Sequence, residues 1–217
     1  MIARLAEESL GDEAAALQAY LEAFDLTPER LEPLEAAERL YERQGDWGEV
    51  LSTLDRKLSL LDEPEAQEAL YLKQALVYRD HLSDPSAAIE ALNAALSITP
   101  ERLETLRDLR ALYSAQGDVA ALHSTTLQEL ALLEGPEARF SLELELARLE
   151  LGELNRPEEA ITRLTEQLAL ALELSSLDET AVIHLLEEAQ EHPEASLSAA
   201  RALSPLYEAR ERWPEYV

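Results

Sequence analysis

The chain has 217 residues, no cysteine and a formal net charge of −27. The lack of cysteine excludes disulfides, zinc-thiolate sites and a cysteine nucleophile. The excess of carboxylates argues against nucleic acid and anionic lipid as direct ligands, because affinity for either depends on Lys and Arg. The same negative field would speed the encounter with a basic partner, unless it serves only solubility.

Helix-forming residues dominate the composition. Apolar residues make up 47% of the chain, whereas there are only 6 Gly and 2 Phe. This composition predicts an all-α fold. The N-terminus lacks a basic stretch followed by an apolar run, and no segment approaches the length of about 18 apolar residues that a membrane helix requires. We therefore expect a cytoplasmic protein without membrane contact.

Apolar residues spaced by three and four positions predict twelve helices. In chain order these cover residues 2–10, 13–26, 30–44, 47–62, 65–82, 85–98, 101–116, 119–134, 137–154, 157–175, 178–191 and 194–211. Pro33 is expected to delay the start of the third helix, and Pro205 to kink or split the last one. No Gly/Ser-rich or Pro-rich linker interrupts the series, so we expect one continuous stack.

The turns between these helices carry their own signals. QGD at 44–46 and again at 116–118 places Gly after the last apolar residue of a helix, where its positive φ is a common terminator. The Asp that follows can cap the next helix by accepting its free backbone N–H groups. Pro85 and Pro157 stand at the first position of a helix, where the missing N–H is harmless.

The sequence matches itself without a gap when position 12 is aligned with position 84, and 25 of the 57 positions in 12–68 are then identical to those in 84–140. We call this alignment, which also places 84 against 156, the repeat register. It predicts one repeat array over residues 1–217, built from double repeats at 12–83 and 84–155 and a divergent segment at 156–217. LYERQGDW at 40–47 is echoed by LYEARERW at 206–213, which is followed only by PEYV. We therefore expect an array that is truncated at both ends.

A shorter pattern of two helices recurs inside each long unit. Small, aromatic, small and proline residues follow one another at Ala16, Tyr20, Ala23 and Pro28, and again, with Leu in the aromatic position, at Ala88, Leu92, Ala95 and Pro100. Over essentially the whole chain this pattern resembles the tetratricopeptide repeat family, in a degenerate form whose unit length alternates between 34 and 38. Tyr41 and Tyr113 match the tyrosine that is typical of the family's first helix.

The resemblance implies a right-handed α-solenoid of about six antiparallel helix pairs, in which the first helix of each pair lines a concave groove. The groove positions that it implies are Glu32, Glu35, Arg39, Leu70, Lys73, Val77, Glu104, Arg107, Ala111, Leu142, Glu145 and Leu149. Near the eighth position of the first helix the family has a small residue, where this chain has Glu38, Leu76, Arg110 and Arg148. A groove for the C-terminal carboxylates of chaperones is not expected, because the chain has only two Lys and two Asn.

Residues with catalytic or metal-binding potential are scattered. The four histidines belong to different helices or turns, and His184 and Glu188, four positions apart, form an ordinary helix-face pair rather than a ligand set. Carboxylate pairs are too common at this composition to indicate acid/base catalysis. We expect no metal, no cofactor and no enzymatic activity.

Three functions remain open from the sequence. The first is a scaffold that binds a protein or peptide, basic or amphipathic, in its groove. The second is a structural spacer that separates other domains of a larger protein. The third is a regulatory subunit or a metal-dependent enzyme, which would require bound metal.

Overall fold

The computed structural model describes residues 12–209, and this range contains eleven α-helices and no strand. The helices are α1 (Glu13–Leu26), α2 (Glu32–Gln44), α3 (Trp47–Leu58), α4 (Pro64–Asp80), α5 (Pro85–Ile98), α6 (Leu103–Gln116), α7 (Val119–Leu132), α8 (Pro136–Leu151), α9 (Pro157–Glu173), α10 (Glu179–Ala189) and α11 (Ser196–Ala209). The all-α prediction is confirmed.

The helix bounds agree with the periodicity. α1 and α5 have the predicted bounds, and the largest difference is at α3, which ends at Leu58 instead of position 62. There the Ser59 hydroxyl donates to the carbonyl of Arg56 at 2.7 Å and satisfies a free acceptor of the last turn. The helix expected at 2–10 lies outside the described residues, as do positions 210 and 211 of the last predicted helix and the end of LYEARERW.

The two prolines expected to disturb helices have different outcomes. α2 begins at Glu32, later than predicted, and Pro33 lies in its first turn as expected. α11 continues through Pro205 as one helix, so of the two expected effects, a kink or a split, the split is wrong.

The turn predictions are confirmed. Gly45 and Gly117 have φ values of 71° and 70°, in the left-handed region that favours glycine. The carboxylate of Asp46 accepts a backbone N–H three positions further on at 3.4 Å, and that of Asp118 does so at 3.0 Å. α5 and α9 begin at their prolines. The glycines therefore end one helix, and the Asp or Pro residues start the next one.

The chain divides into two compact units, one ending at Thr105 and the other beginning at Leu106, so the division falls in the first turn of α6. In the first unit each helix from α1 to α4 packs against the next one. In the second unit α7 to α11 do the same, and α8 also contacts α10 and α9 also contacts α11. Packing between successive short helices is what a stack of helix pairs requires.

The cores of both units are built around the small residues of the repeat. Ala16, Ala88 and Ala160, which share one place in the repeat register, are all fully buried. Four positions later, Tyr20, Leu92 and Leu164 are buried as well. A methyl side chain lets a neighbouring helix approach closely, and the larger side chain one turn away fills the space beside it. The repeat pattern is therefore a packing pattern.

Trp47 has a packing partner that its place in the sequence does not reveal. It begins α3, and its indole stacks on the imidazole of His81, which follows α4, with ring centroids 3.5 Å apart and an interplanar angle of 7°. The contact joins the start of one helix to the end of the next.

Candidate functional site

The predicted groove positions lie on α2, α4, α6 and α8, the first helices of four pairs. Exposed members are Glu32, Glu35, Arg39, Glu104, Arg107 and Ala111, and half-buried members are Leu70, Lys73, Glu145 and Leu149. Val77 and Leu142 are buried and pack with core residues of their units. Ten of the twelve positions are therefore exposed or half-buried.

In the second unit, α6 and α8 border a cavity of about 270 Å³. It is lined by Arg107, Arg110, Ala111, Ser114 and Glu145. Three of these residues are predicted groove positions, and the structure brings them to one concave surface. Arg110 and Ser114 complete the lining, although the family resemblance did not indicate them.

Arg110 on α6 lines this cavity and forms hydrogen bonds to side chains of α7 and α8. Its Nε donates to Thr126 Oγ1 at 3.1 Å, and its two terminal nitrogens donate to Glu129 and Glu145. Arg107 reaches the same carboxylate of Glu129 at 2.9 Å. Burial alone would lower the pKa of Arg110, but the hydrogen bonds from its guanidinium to the two carboxylates raise it above its ordinary value. We call Arg110, Glu129 and Glu145 the Arg110 cluster.

The first unit contains an equivalent group around Glu38, which is 4% exposed. Its carboxylate accepts from the ammonium groups of Lys57 on α3 and Lys73 on α4, and Lys73 also contacts Glu42 at 2.6 Å. Burial by itself would raise the pKa of Glu38, but the hydrogen bonds and the charges of the two lysines outweigh it and lower the pKa. We call Glu38, Lys57 and Lys73 the Glu38 cluster.

The two clusters occupy the same positions of the repeat with opposite charges. In the repeat register, Glu38 matches Arg110, Lys57 matches Glu129, and Lys73 matches Glu145. Each cluster joins the first helix of a pair, its second helix and the first helix of the next pair. Because a buried charge must be paired, the largely buried members, Glu38 with Lys57 and Arg110 with Glu129, have to change sign together for the geometry to persist.

These clusters also accommodate Glu38 and Arg110, which stand where the tetratricopeptide pattern has a small residue. A small residue would allow close helix contact there, whereas this chain places a long charged side chain between the helices and neutralises it from two sides. The charges of the clusters are consequently engaged within each unit. The charges that remain for a partner are the exposed ones, such as Glu35 and Glu104, together with Glu32, whose ion pair with Arg30 at 3.6 Å is itself exposed.

A third buried ion group lies between α8 and α9. Arg163 donates to Glu150 at 3.1 and 2.9 Å and to Glu143, and the Nε2 of His123 lies 3.0 Å from Glu150. Burial would lower the pKa of Arg163, and its bonds to the two carboxylates raise it. We call Arg163, Glu143 and Glu150 the Arg163 cluster.

A signal for the first two clusters was present in the sequence. The duplicated segments align without a gap, and columns 38/110, 57/129 and 73/145 each pair opposite charges. Three such inversions at helix positions that face a neighbour would have indicated a shared contact with its polarity reversed. The Arg163 cluster has no such counterpart, because the equivalent positions of the first unit hold Tyr71, Tyr78 and Ala91.

Two further properties concern the part of the chain that the structure describes. Within residues 12–209, no group of three or more His, Asp or Glu side chains is placed to hold a metal ion. In the same range, no helix has the length and apolarity needed to cross a membrane.

Sequence comparisons do not assign a family: no family model matches the chain, and no curated protein matches it either. Solved structures do match. A kinesin light chain of Podosopora anserina, described as having nearly identical TPR-like repeats, has 22% identity and a TM-score of 0.45, covering 85% of this chain and 98% of that one. MamA has 16% identity and a TM-score of 0.44, covering 88% of this chain and 98% of that one.

A higher TM-score is found for Naa15/Naa10 bound to HypK-THB. It reaches 0.52 at 19% identity and covers 96% of this chain, which spans 35% of that neighbour's length. At this identity the similarity concerns the fold alone. Together with the packed helix pairs and the buried alanines that recur in the repeat register, it identifies the chain as an all-α helical repeat with a tetratricopeptide-like fold.

Proposed function

We propose that the chain is a non-catalytic scaffold that binds a protein or peptide along its first helices. The observation that carries this proposal is the cavity of the second unit, where groove positions from α6 and α8 share one concave surface. Helix-pair repeats characteristically use such surfaces for binding, because neighbouring repeats present a continuous face. The neighbour with the TM-score of 0.52 was solved bound to HypK-THB, which agrees with a role of this kind.

The preferred partner is basic or amphipathic. Glu32, Glu35 and Glu104 are exposed on first helices, and none of them belongs to a buried cluster. Half-buried Leu70 and Leu149 add apolar surface on α4 and α8. In a chain of net charge −27, this surface attracts cationic segments and repels acidic ones.

Fluorescence anisotropy with labelled peptides of graded net charge and equal apolar content tests the proposal. We expect affinity to rise with positive charge and to fall about tenfold when Glu32, Glu35 and Glu104 are all changed to Lys. Glu145 is left unchanged, because its loss would break the Arg110 cluster and confuse binding with folding.

The matched control changes three exposed carboxylates on second helices to Lys, namely Asp25, Glu166 and Glu173. Both variants alter the net charge equally, so a groove predicts loss of affinity only in the first one. Equal loss in the two variants would mean that long-range charge attracts the peptides without a groove. If none of the peptides binds, the chain is better described as a spacer within a larger protein.

A further inference from the structure

A second cavity lies in the first unit, on a different face of α4 from the predicted groove positions. Its volume is about 210 Å³, and it is bordered by α3, α4 and α5. Its lining includes Asp55, Tyr71, Gln74, Tyr78, Glu90 and Ala91. Neither the groove nor the proposed function accounts for this cavity.

The repeat shows what fills the same place in the second unit. In the repeat register, Ala91 corresponds to Arg163, Tyr71 to Glu143 and Tyr78 to Glu150. The alignment is secure here, because Pro85, Ala88, Ile89 and Leu92 of α5 match Pro157, Ala160, Ile161 and Leu164 of α9. The cavity of the first unit is thus the place that the guanidinium of the Arg163 cluster occupies in the second.

The lining of the cavity remains suited to a cation although its own arginine is missing. Asp55 and Glu90 supply carboxylates, and Tyr71 and Tyr78 supply phenol oxygens and aromatic faces. The amide nitrogen of Gln74 is already used, since it donates to Asp55 Oδ1 at 2.6 Å. Among the residues that the structure describes, no Lys or Arg lines the cavity.

The pKa of Tyr78 reflects the negative charges around the cavity. Burial raises the pKa of the Tyr78 phenol, and the negative charges of Asp55, Asp84 and Glu90 raise it further. Burial opposes any charge there, but the three carboxylates also favour a cation over an anion at this position.

We propose that this cavity binds the side chain of an arginine supplied by a partner protein. The guanidinium would enter beside Ala91, lie against the rings of Tyr71 and Tyr78 and donate to the carboxylates of Asp55 and Glu90. A planar fork of donors suits two carboxylates and two aromatic faces better than the compact ammonium of lysine. A partner would thus supply the kind of side chain that Arg163 supplies within its own chain, with Asp55 and Glu90 as acceptors in place of Glu143 and Glu150.

Backbone amide NMR of the full chain tests the proposal with N-acetyl-arginine N-methylamide as the probe. We expect shifts that saturate and are confined to α3, α4 and α5. The neutral isostere N-acetyl-citrulline N-methylamide should bind at least about tenfold more weakly, since it lacks the charge that strengthens each hydrogen bond. Equal binding of the two compounds would refute the proposal. Much tighter binding of free L-arginine would point to an amino-acid ligand and would also overturn it.

Two variants locate the binding. Ala91→Arg places a guanidinium in the cavity from within the chain, as in the second unit, and should abolish the shifts caused by the probe. Ser97→Arg adds the same charge at an exposed position of the same helix and should leave them nearly unchanged. Shifts that persist in Ala91→Arg would show that the probe binds elsewhere.

A surface change provides an independent readout if Ala91→Arg perturbs folding. Glu90 and Asp55 are both exposed, and Glu90→Gln with Asp55→Asn should weaken binding of the probe about tenfold while circular dichroism stays unchanged. Unchanged affinity in this double variant would contradict the proposal. The outcome does not depend on the groove, because Glu32, Glu35 and Glu104 remain as they are.

Discussion

Glu38 on α2 is a buried carboxylate, and ion pairs with Lys57 and Lys73 offset the cost of its burial. Changing Glu38 to Gln would leave Lys57, whose side chain is 9% exposed, without its counter-charge. Removing one partner of a buried ion pair costs on the order of 3 kcal/mol, because the remaining charge stays desolvated. We expect Glu38→Gln to lower the free energy of unfolding by about this amount in urea titrations.

Glu35 is the matched control, as it lies on the same helix and is exposed. Glu35→Gln should change the free energy of unfolding by less than about 0.5 kcal/mol. Similar losses in both variants would mean that α2 depends on its overall charge and not on the Glu38 cluster.

The carboxylate of Glu38 also makes the stability of the fold depend on pH. The pKa of Glu38 is lowered in the folded chain, so the unfolded state takes up its proton first as the pH falls. Its contribution is complete above the ordinary glutamate pKa of 4.5 and is lost as the pH falls through the lower folded value. Glu68 acts in the same direction, because the hydroxyl of Thr99 and the guanidinium of Arg102 donate to it and lower its pKa.

We therefore expect the urea midpoint of the unaltered chain to fall between pH 5 and pH 3, and to fall less steeply in Glu38→Gln. Midpoints measured at several pH values in this range provide the check. Parallel curves for the two proteins would show that Glu38 does not titrate differently in the folded and unfolded states.

At the scale of single elements, Gly117 decides how α6 ends. Its φ of 70° is strained for any residue with a Cβ, although the space around it is open. We expect Gly117→Ala to lower the free energy of unfolding by about 1 kcal/mol, which reflects the backbone conformation alone.

Gly48 provides the comparison, since it lies within α3 and an added Cβ would meet only Asp46 Oδ1 at 3.9 Å. Gly48→Ala should stabilise the chain by roughly 0.5–1 kcal/mol, because alanine loses less entropy in a helix. Similar losses of stability in both variants, measured by thermal or urea unfolding, would mean that the positive φ of Gly117 is not what makes its replacement costly.

Most helices could be predicted from the sequence because they combine an apolar period with a Gly, Asp or Pro signal at one end. α1 and α5 end as predicted, and the residues that cap and terminate helices around 44–46 and 116–118 act as expected. The end of α3 was missed, since leucines at positions 60 and 61 continue the apolar period beyond the helix. Periodicity records which side chains are apolar and carries no information about where the backbone leaves the helix.

The candidate groove was harder to predict than the helices that carry it. Family spacing indicated Arg107, Ala111 and Glu145, which share a cavity, but it passed over Arg110 at the centre of that cavity. It also included Val77, which packs in the core. A spacing rule assumes uniform helix packing, so it does not record which of these side chains a neighbouring helix covers.

For the whole molecule, repulsion among the carboxylates behind the net charge of −27 destabilises the folded state. Salt screens exposed charges over about 10 Å at 0.1 M, but it acts much less on the buried clusters. We expect the urea midpoint to rise with added NaCl. Choline chloride at equal ionic strength should give the same rise, because screening does not depend on the cation. A falling midpoint would mean that ion pairs outweigh repulsion.

The opposite polarity of the Glu38 and Arg110 clusters also affects how the duplicated segments find their proper neighbours while the chain folds. Apolar residues at matching positions would let α2 dock in the place of α6, beside α7 and α8. In that arrangement Glu38 would face Glu129 and Glu145, so three carboxylates would crowd one buried position. Mispairing between the halves, or between two copies of the chain, is thereby penalised where leucine and alanine cannot discriminate.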